Sequence, residues 1–447
     1  MKILFLAHLD PVPPNSGGKL RVYHLAKGLA SKHELTLVTV RYPYFDGPEA
    51  KTDELFQLCH KRVAFTKSPA SGWWNISQVA RDWGPLPRRL WALCSSIRPA
   101  RIRDAPDPEL VALLRSLRTT HKYDAVWVST DFMAESAARA GFERIVLDIH
   151  DLDCFSYLSI LRCRGWYMSK ILHYAEFAKI WFHEKRLPNR FWRLVISRPE
   201  DLGFFKGSED RVHVVPNGVA TFEPTSASRE RPGELLFLGT LYYQPNIDAV
   251  QYFCRSILPF ILQKRSDARF VVAGLGPTAD VLALHNGTTI DVVGTVEDVT
   301  SLFESASIVV APIRSGGGTR LKVLEALARG KAVVSTRTGM EGLDLRAGED
   351  LLVADTPVEF AEACVGLLGD ADKRQRIAQA GRRRALERYH WDNCVAAAER
   401  ALGITVDSEQ SRAAPSYAPA NRLISAADRV GEFSRATTAT TDIIKDA

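Results

Sequence analysis

Nothing in this 447-residue chain points to a disulfide frame: its seven cysteines are odd in number, scattered, and include no CxxC pair. That usage reads as reduced thiols in a cytoplasmic protein rather than as cross-links or a zinc site. Long apolar runs are missing too. No stretch reaches the roughly eighteen residues of a membrane span, and the opening MKILFLAHLDPVPP has one cation and too few apolar residues before His8 and Asp10 for a signal peptide. The chain is expected to be neither secreted nor membrane-spanning. Charge of one sign is also scarce. The 58 Lys and Arg against 52 Asp and Glu leave a net charge of +6, which suits attraction to phosphates or an anionic lipid surface and argues against a nucleic-acid partner. What remains, 46% hydrophobic and 25% charged, is an ordinary globular composition long enough for two or three domains.

The apolar runs that do occur are short and alternate with amphipathic stretches. KILFLAH, ELTLVTV, DAVWVS, RIVLDIH, RLVIS and VHVVPNG read as strands of one parallel sheet with helices between them. After residue 218 comes ATFEPTSASRERPGE, rich in Ser, Pro and charge and without periodicity, which reads as a linker over 219–233. The alternation then restarts with ELLFLGT, RFVVAGLG, TIDVVGTV, SIVVAP, KAVVST and DLLVAD, near-continuous apolar strands of a sheet covered on both faces. The fold class is therefore α/β, with two doubly wound Rossmann-like domains at 1–218 and 234–390. Residues 357–402 are helical in pattern, and 404–447 reads as a mostly disordered tail with one short helix candidate, RLISAADRVGEF.

In such sheets ligands bind beyond the carboxyl ends of the strands, where helix N-termini face anions. Glycine marks three such places: Gly17 and Gly18 before a helix starting near Lys19; Gly239 after the first strand of the second domain; and Gly316, Gly317 and Gly318 after SIVVAPIR. Each can equally be a tight turn. The third is the most specific, because Thr319, Arg320, Lys322 and Glu325 follow it. Glycines let the backbone approach a phosphate, the helix start adds partial positive charge, and the two cations add full ones. Glu325 falls about 9 Å along a helix from Thr319, roughly the span from a diphosphate to its ribose. Its alternative is a surface glutamate paired with Lys322 or Arg329. Two other motifs compete. GLGPTA (274–279) matches a dinucleotide pattern, but the nearby acid, Asp291, precedes VVG instead of ending a strand. Asp151 and Asp153 form a DLD triplet that could hold a metal, a role the cationic cradle makes unnecessary.

These segments, from PPNSGGKLRVYHLAKGLA through LDIHDLDCF, VVPNGV, LLFLGTLYYQPNIDAV, VVAGLGP and VVGTVEDV to GGGTRLKVLEALARGKAVVST, resemble GT-B-fold glycosyltransferases of family 4, or group 1. The opening and the GGGTRLKVLEALA form are similar to the subset encoded with exopolysaccharide and exosortase-type systems. The resemblance implies two domains facing a cleft, the first on the acceptor side and the second holding a nucleotide sugar, with a helix at 391–403 packing back on the first. It implies a retaining, metal-independent hexosyl transfer from a UDP- or GDP-linked donor, used as substrate with no resident cofactor, to a saccharide or lipid-linked acceptor. Glu325 matches the ribose-binding glutamate, Gly294 to Val296 fall where the base is held, and Gly17 and Gly18 match a loop near phosphate and acceptor. His150 falls beside the donor sugar, or is a satisfied core histidine. Two departures stand out: Gly317 occupies the position of the family's other glutamate, and TLYYQPN replaces the usual Arg and Lys after the FLG strand, leaving Arg320 and Lys322 as substitutes. Lys322 and His150 are then the catalytic candidates. A nucleotide-sugar 2-epimerase and a non-catalytic sugar-nucleotide-binding subunit share the architecture.

One segment fits either of two roles. Lys61 to Arg103 carries Trp73, Trp74, Trp83 and Trp91 among nine cations with few acids. Tryptophan and clustered cations favour an anionic lipid surface, here the cytoplasmic face of the inner membrane; alternatively the tryptophans pack inside the first domain. If the segment faces lipid, the protein co-sediments with anionic vesicles at low salt, and Arg88→Glu with Arg89→Glu weakens the binding. No binding at low salt leaves the packing role.

Overall fold

The computed structural model describes residues 1–14, 16–41, 53–66, 98–99, 102, 105–155, 157–158, 170–223, 229–296, 298–316 and 319–405. The four tryptophans between 73 and 91, with Arg81, Arg88 and Arg89, lie outside these residues, as do Gly317, Gly318 and the chain beyond 405. Contacts divide the chain into two units, Met1–Pro216 with the chain from Val395 on, and Asn217–Cys394.

In the first unit β1 (Lys2–Ala7), β2 (Glu34–Arg41), β3 (Lys61–Thr66), β4 (Ala125–Val128), β5 (Ile145–Ile149), β6 (Arg193–Ile196) and β7 (Val212–Val214) form one sheet. Its order is β3-β2-β1-β4-β5-β6-β7, and every pair is parallel. The strand order reverses between β1 and β4. β4, AVWV, is buried at all four positions, as a central strand covered on both faces should be.

β3 was not foreseen. Its sequence, KRVAFT, has only Val63 and Phe65 turned toward the core, the alternation of an edge strand, and the cations at its start masked it. Arg62 belongs to the segment with two candidate roles. Its guanidinium lies 3.8 Å from the buried Asp10 carboxylate and 3.7 Å from the Phe56 ring centroid.

The second unit repeats the scheme with β8 (Glu234–Leu238), β9 (Arg269–Ala273), β10 (Ile290–Gly294), β11 (Ile308–Ala311), β12 (Ala332–Ser335) and β13 (Leu352–Val353). The order is β10-β9-β8-β11-β12-β13, again parallel throughout, with the reversal between β8 and β11. All six match apolar runs read from the sequence. Helices Pro357–Gly369, Ala371–Tyr389 and Trp391–Ala401 account for the helical pattern at 357–402. In the first unit, Glu399 accepts from Lys32 and His33 at 3.0 Å each, and Arg193 donates to the carbonyls of Arg400 and Ala401. Among the described residues no helix is long and apolar enough to cross a membrane.

Arg21, on helix Gly17–Ala30, is the largest buried charge of the first unit at 1% exposure. It forks onto Asp148 of β5 through Nε and Nη2 at 2.9 and 2.8 Å, and its Nη1 donates to the carbonyls of Val215 and Pro216. Removing one member leaves the other charge buried and unpaired, a cost of about 3–5 kcal/mol. Arg21→Ala is therefore expected to lower the urea midpoint strongly, and Arg21→Met with Asp148→Leu to recover most of the loss.

Candidate active site

Because both sheets are parallel, the loops after their strands gather at one edge, and a crevice opens where the order reverses. In the second unit the segments flanking that point are Gly239–Thr240 after β8 and 312–320 after β11. Here the structure brings Gly239 and Lys322 together.

The ends of β8, β9 and β10 pack backbone to backbone. Gly274 donates its N–H to the Gly294 carbonyl at 2.8 Å, and Gly239 donates to Ala273 at 3.1 Å. Gly274, at φ +150°, admits no side chain, since a Cβ would lie 1.7 Å from the Gly239 carbonyl oxygen. The first glycine of GLGPTA thus serves the close approach of strand ends. Asp291 is held by Arg269 at 2.5 Å and faces His285 at 3.4 Å, inside its strand pair and away from any ribose position. Thr295 Oγ1 accepts from the Gly276 N–H, and Val296 is half-buried beside it.

The glycine loop stands on the start of helix Gln244–Tyr252. Gly316 has φ +108°, and a Cβ there would meet Pro245 at 3.2 Å. Arg320, 8% exposed, braces this loop: its Nη2 donates to the Gly316 carbonyl at 2.8 Å and its Nε to the Thr338 carbonyl at 3.2 Å. The Thr319 carbonyl accepts from Leu321, and helix Leu321–Ala328 begins. Arg320, read from the sequence as a cation for a phosphate, donates to the Gly316 and Thr338 carbonyls.

Lys322 differs. Its Nζ lies against Gly239, 4.3 Å from the Phe237 ring centroid, and donates to Asn246 Oδ1 at 2.6 Å. Burial, helped by the charge of Arg320, pushes its pKa down to about 7. Asn246 went unnoticed in the sequence, although a Pro-Asn pair opening a helix just after a strand-end glycine was a usable signal.

Glu325 emerges one turn on from Lys322 with a third of its side chain exposed, among the buried Val323, Leu324, Ala326 and Leu327. Its Oε1 accepts from Arg329 at i+4, with Nη2 at 3.0 Å and Nε at 3.1 Å, while Oε2 makes no hydrogen bond among the described residues. The anticipated ion pair exists, and one oxygen remains for a ligand.

In the first unit the structure brings His150 to the start of helix Gly17–Ala30, where a Cβ on Gly18 would lie 3.8 Å from His150 Nδ1. Lys19, half-buried in the first turn, has no ion-pair partner among the described residues. His150 Nε2 is buried without a hydrogen-bond partner there. Its ring sits 5.5 Å from that of His8, whose Nδ1 lies 2.9 Å from Ser129 Oγ across the β1–β4 reversal. Burial, and then the neighbouring Arg21, hold His150 down at about 3; burial and then His150 hold His8 at about 3. Both imidazoles are neutral at physiological pH. Asp153 donates its N–H to the buried Glu184, so the DLD segment is tied down as the start of a turn.

Residues 232–370 match the family model of the group 1 glycosyl transferases. The match lies within the second unit, Asn217–Cys394. An uncharacterized 44.6 kDa protein in the cps region of Klebsiella pneumoniae is 19% identical over 390 residues, covering 84% of this chain and 93% of that protein. A phosphatidyl-myo-inositol mannosyltransferase of Mycobacterium tuberculosis is 30% identical over 196 residues, which span 40% of this chain and half of the enzyme. The crystal structure of HepE from Anabaena in complex with UDP and glucose superposes with a TM-score of 0.58 at 15% identity, over 90% of this chain and 99% of that one. At such identity the likeness shows the fold, GT-B.

If Glu325 accepts from a ribose hydroxyl, Glu325→Gln replaces charge-assisted bonds with about 1.5–3 kcal/mol at stake. Calorimetric titration with UDP and GDP is expected to show binding at least tenfold weaker, with the unfolding temperature unchanged. Unaltered affinity would return Glu325 to a plain partner of Arg329.

Proposed function

We propose that the protein transfers a hexosyl group from a nucleoside-diphosphate sugar, with retention and without a metal, to a saccharide or lipid-linked acceptor in cell-surface polysaccharide or glycoconjugate synthesis. The observation that carries this reading is the meeting, at the reversal of the second sheet, of Gly239, the Arg320-braced glycine loop, the Lys322 ammonium and the outward oxygen of Glu325. A diphosphate fits that cradle, with Glu325 reaching the ribose and Gly294 to Val296 near the base. The resemblance to family 4, and the relative encoded in a cps region, support polysaccharide work at the cytoplasmic side of a membrane. HepE's complex with UDP and glucose supports a sugar nucleotide.

The step breaks the bond between the anomeric carbon and the diphosphate oxygen and forms one to an acceptor hydroxyl oxygen on the same face. The acceptor's proton goes to the departing diphosphate oxygen. Negative charge grows on the diphosphate as the bond lengthens, and Lys322 with the start of helix Leu321–Ala328 would meet it, a contribution on the order of 100-fold in rate. These groups supply the positive charge that a metal provides in other transferases, so the donor is a substrate and no cofactor is required.

A donor screen tests the reading. UDP or GDP, at about 100 times its dissociation constant, is expected to stabilise the protein by about 2.7 kcal/mol in thermal unfolding. The matching sugar nucleotide should release its diphosphate faster with acceptor, at a rate indifferent to chelator and cut at least 100-fold by Lys322→Ala. Stabilisation by neither nucleotide, or activity that needs added magnesium, overturns it.

A further inference from the structure

Asn246 is 7% exposed, and both ends of its amide are engaged. Nδ2 donates to the Thr240 carbonyl at 2.8 Å, and Oδ1 accepts from Lys322 Nζ at 2.6 Å. The amide orientation is dictated by its partners, because a carbonyl only accepts and an ammonium only donates. The remaining wall around Nζ is the Phe237 ring and the Gly239 backbone, 2.7 Å from where a Cβ on that glycine would stand.

Among the described residues no carboxylate pairs with this cation. Helix Gln244–Tyr252 has a single acid, Asp248, which pairs with Arg314 at 2.5 Å. The acid of helix Leu321–Ala328 is Glu325, paired with Arg329. On β8, Glu234 lies at the opposite strand end with Arg231 and Ser305. The charged group that acts on Lys322 is Arg320, of the same sign.

We propose that Asn246 is a positioning residue that fixes the Lys322 ammonium at the end of β8 while leaving its charge uncompensated, reserved for the diphosphate of a nucleotide ligand. The ligand clause rests on the donor reading above. An aspartate would hold the lysine equally well but would spend its charge inside the protein. The amide supplies geometry without neutralisation, and a ligand diphosphate becomes the first full counter-charge the lysine meets.

This arrangement couples binding to protonation. In the free protein burial holds the Lys322 pKa near 7. A bound diphosphate raises it, so the complex carries more protons than the free protein between the two values. Affinity therefore falls as pH rises above about 7, by up to about tenfold per unit until the pKa of the complex is reached.

Asn246→Asp is the decisive variant: nearly isosteric, it sets a counter-charge against Lys322 and gives up the Nδ2 donation to the Thr240 carbonyl. Calorimetry with UDP and GDP is expected to show binding at least tenfold weaker at pH 7 and a flattened dependence between pH 7 and 9. Independently of any ligand, side-chain NMR of labelled lysine, with Lys322→Arg assigning the signal, should show Lys322 titrating more than one unit higher in the variant. Wild-type affinity with the same pH slope, or an unmoved Lys322 titration, overturns the proposal. If the wild type binds neither nucleotide, the donor reading falls, and the lysine titration alone then judges the hold of Asn246: no shift overturns it.

Discussion

Both sheets run parallel throughout, so every strand delivers its following loop to the same edge, and that constraint organises the rest of the molecule. At the reversal of strand order in the second unit, the loops after β8 and β11 diverge. Gly239, Gly274 and Gly294 lie at the ends of three neighbouring strands, and the missing side chain of Gly274 lets the ends of β8 and β9 close on one another. The edge is consequently floored by backbone, with the polar groups that an anion requires.

The two units treat buried charge in opposite ways. In the first, Arg21 is answered by Asp148 and two carbonyls, so its charge is consumed in tying a helix to a strand. In the second, Lys322 meets an amide and an aromatic face. A paired charge stabilises and is chemically silent; a charge held by neutral partners costs desolvation and stays available. Arg320 falls between these cases, a cation whose bonds to the Gly316 and Thr338 carbonyls shape the loop beside the site.

The group 1 match covers 232–370, within the second unit, where the sequence departs from the usual pattern by lacking the Arg and Lys after the first strand. The structure offers a physical account of that departure. The position after the FLG strand is closed by Asn246 and Thr240, and the cation arrives from Leu321–Ala328 instead.

The sequence alone determined the two α/β units, twelve of the thirteen strands, the glycine positions and the cationic start of helix Leu321–Ala328, because periodicity, apolar runs and turn residues are local properties of the chain. It misassigned β3 because an edge strand buries one face only, and Lys61 and Arg62 disguised its alternation. It read both Arg320 and Lys322 as donor-binding cations, naming only Lys322 catalytic, and it passed over Asn246, His8 and Arg21. Those residues act through partners 76, 121 and 127 positions away, and such pairings exist only once the sheets have brought distant strand ends together. Whether a lysine is neutralised, braced or left charged depends on what stands opposite it, and only the tertiary structure places those groups face to face.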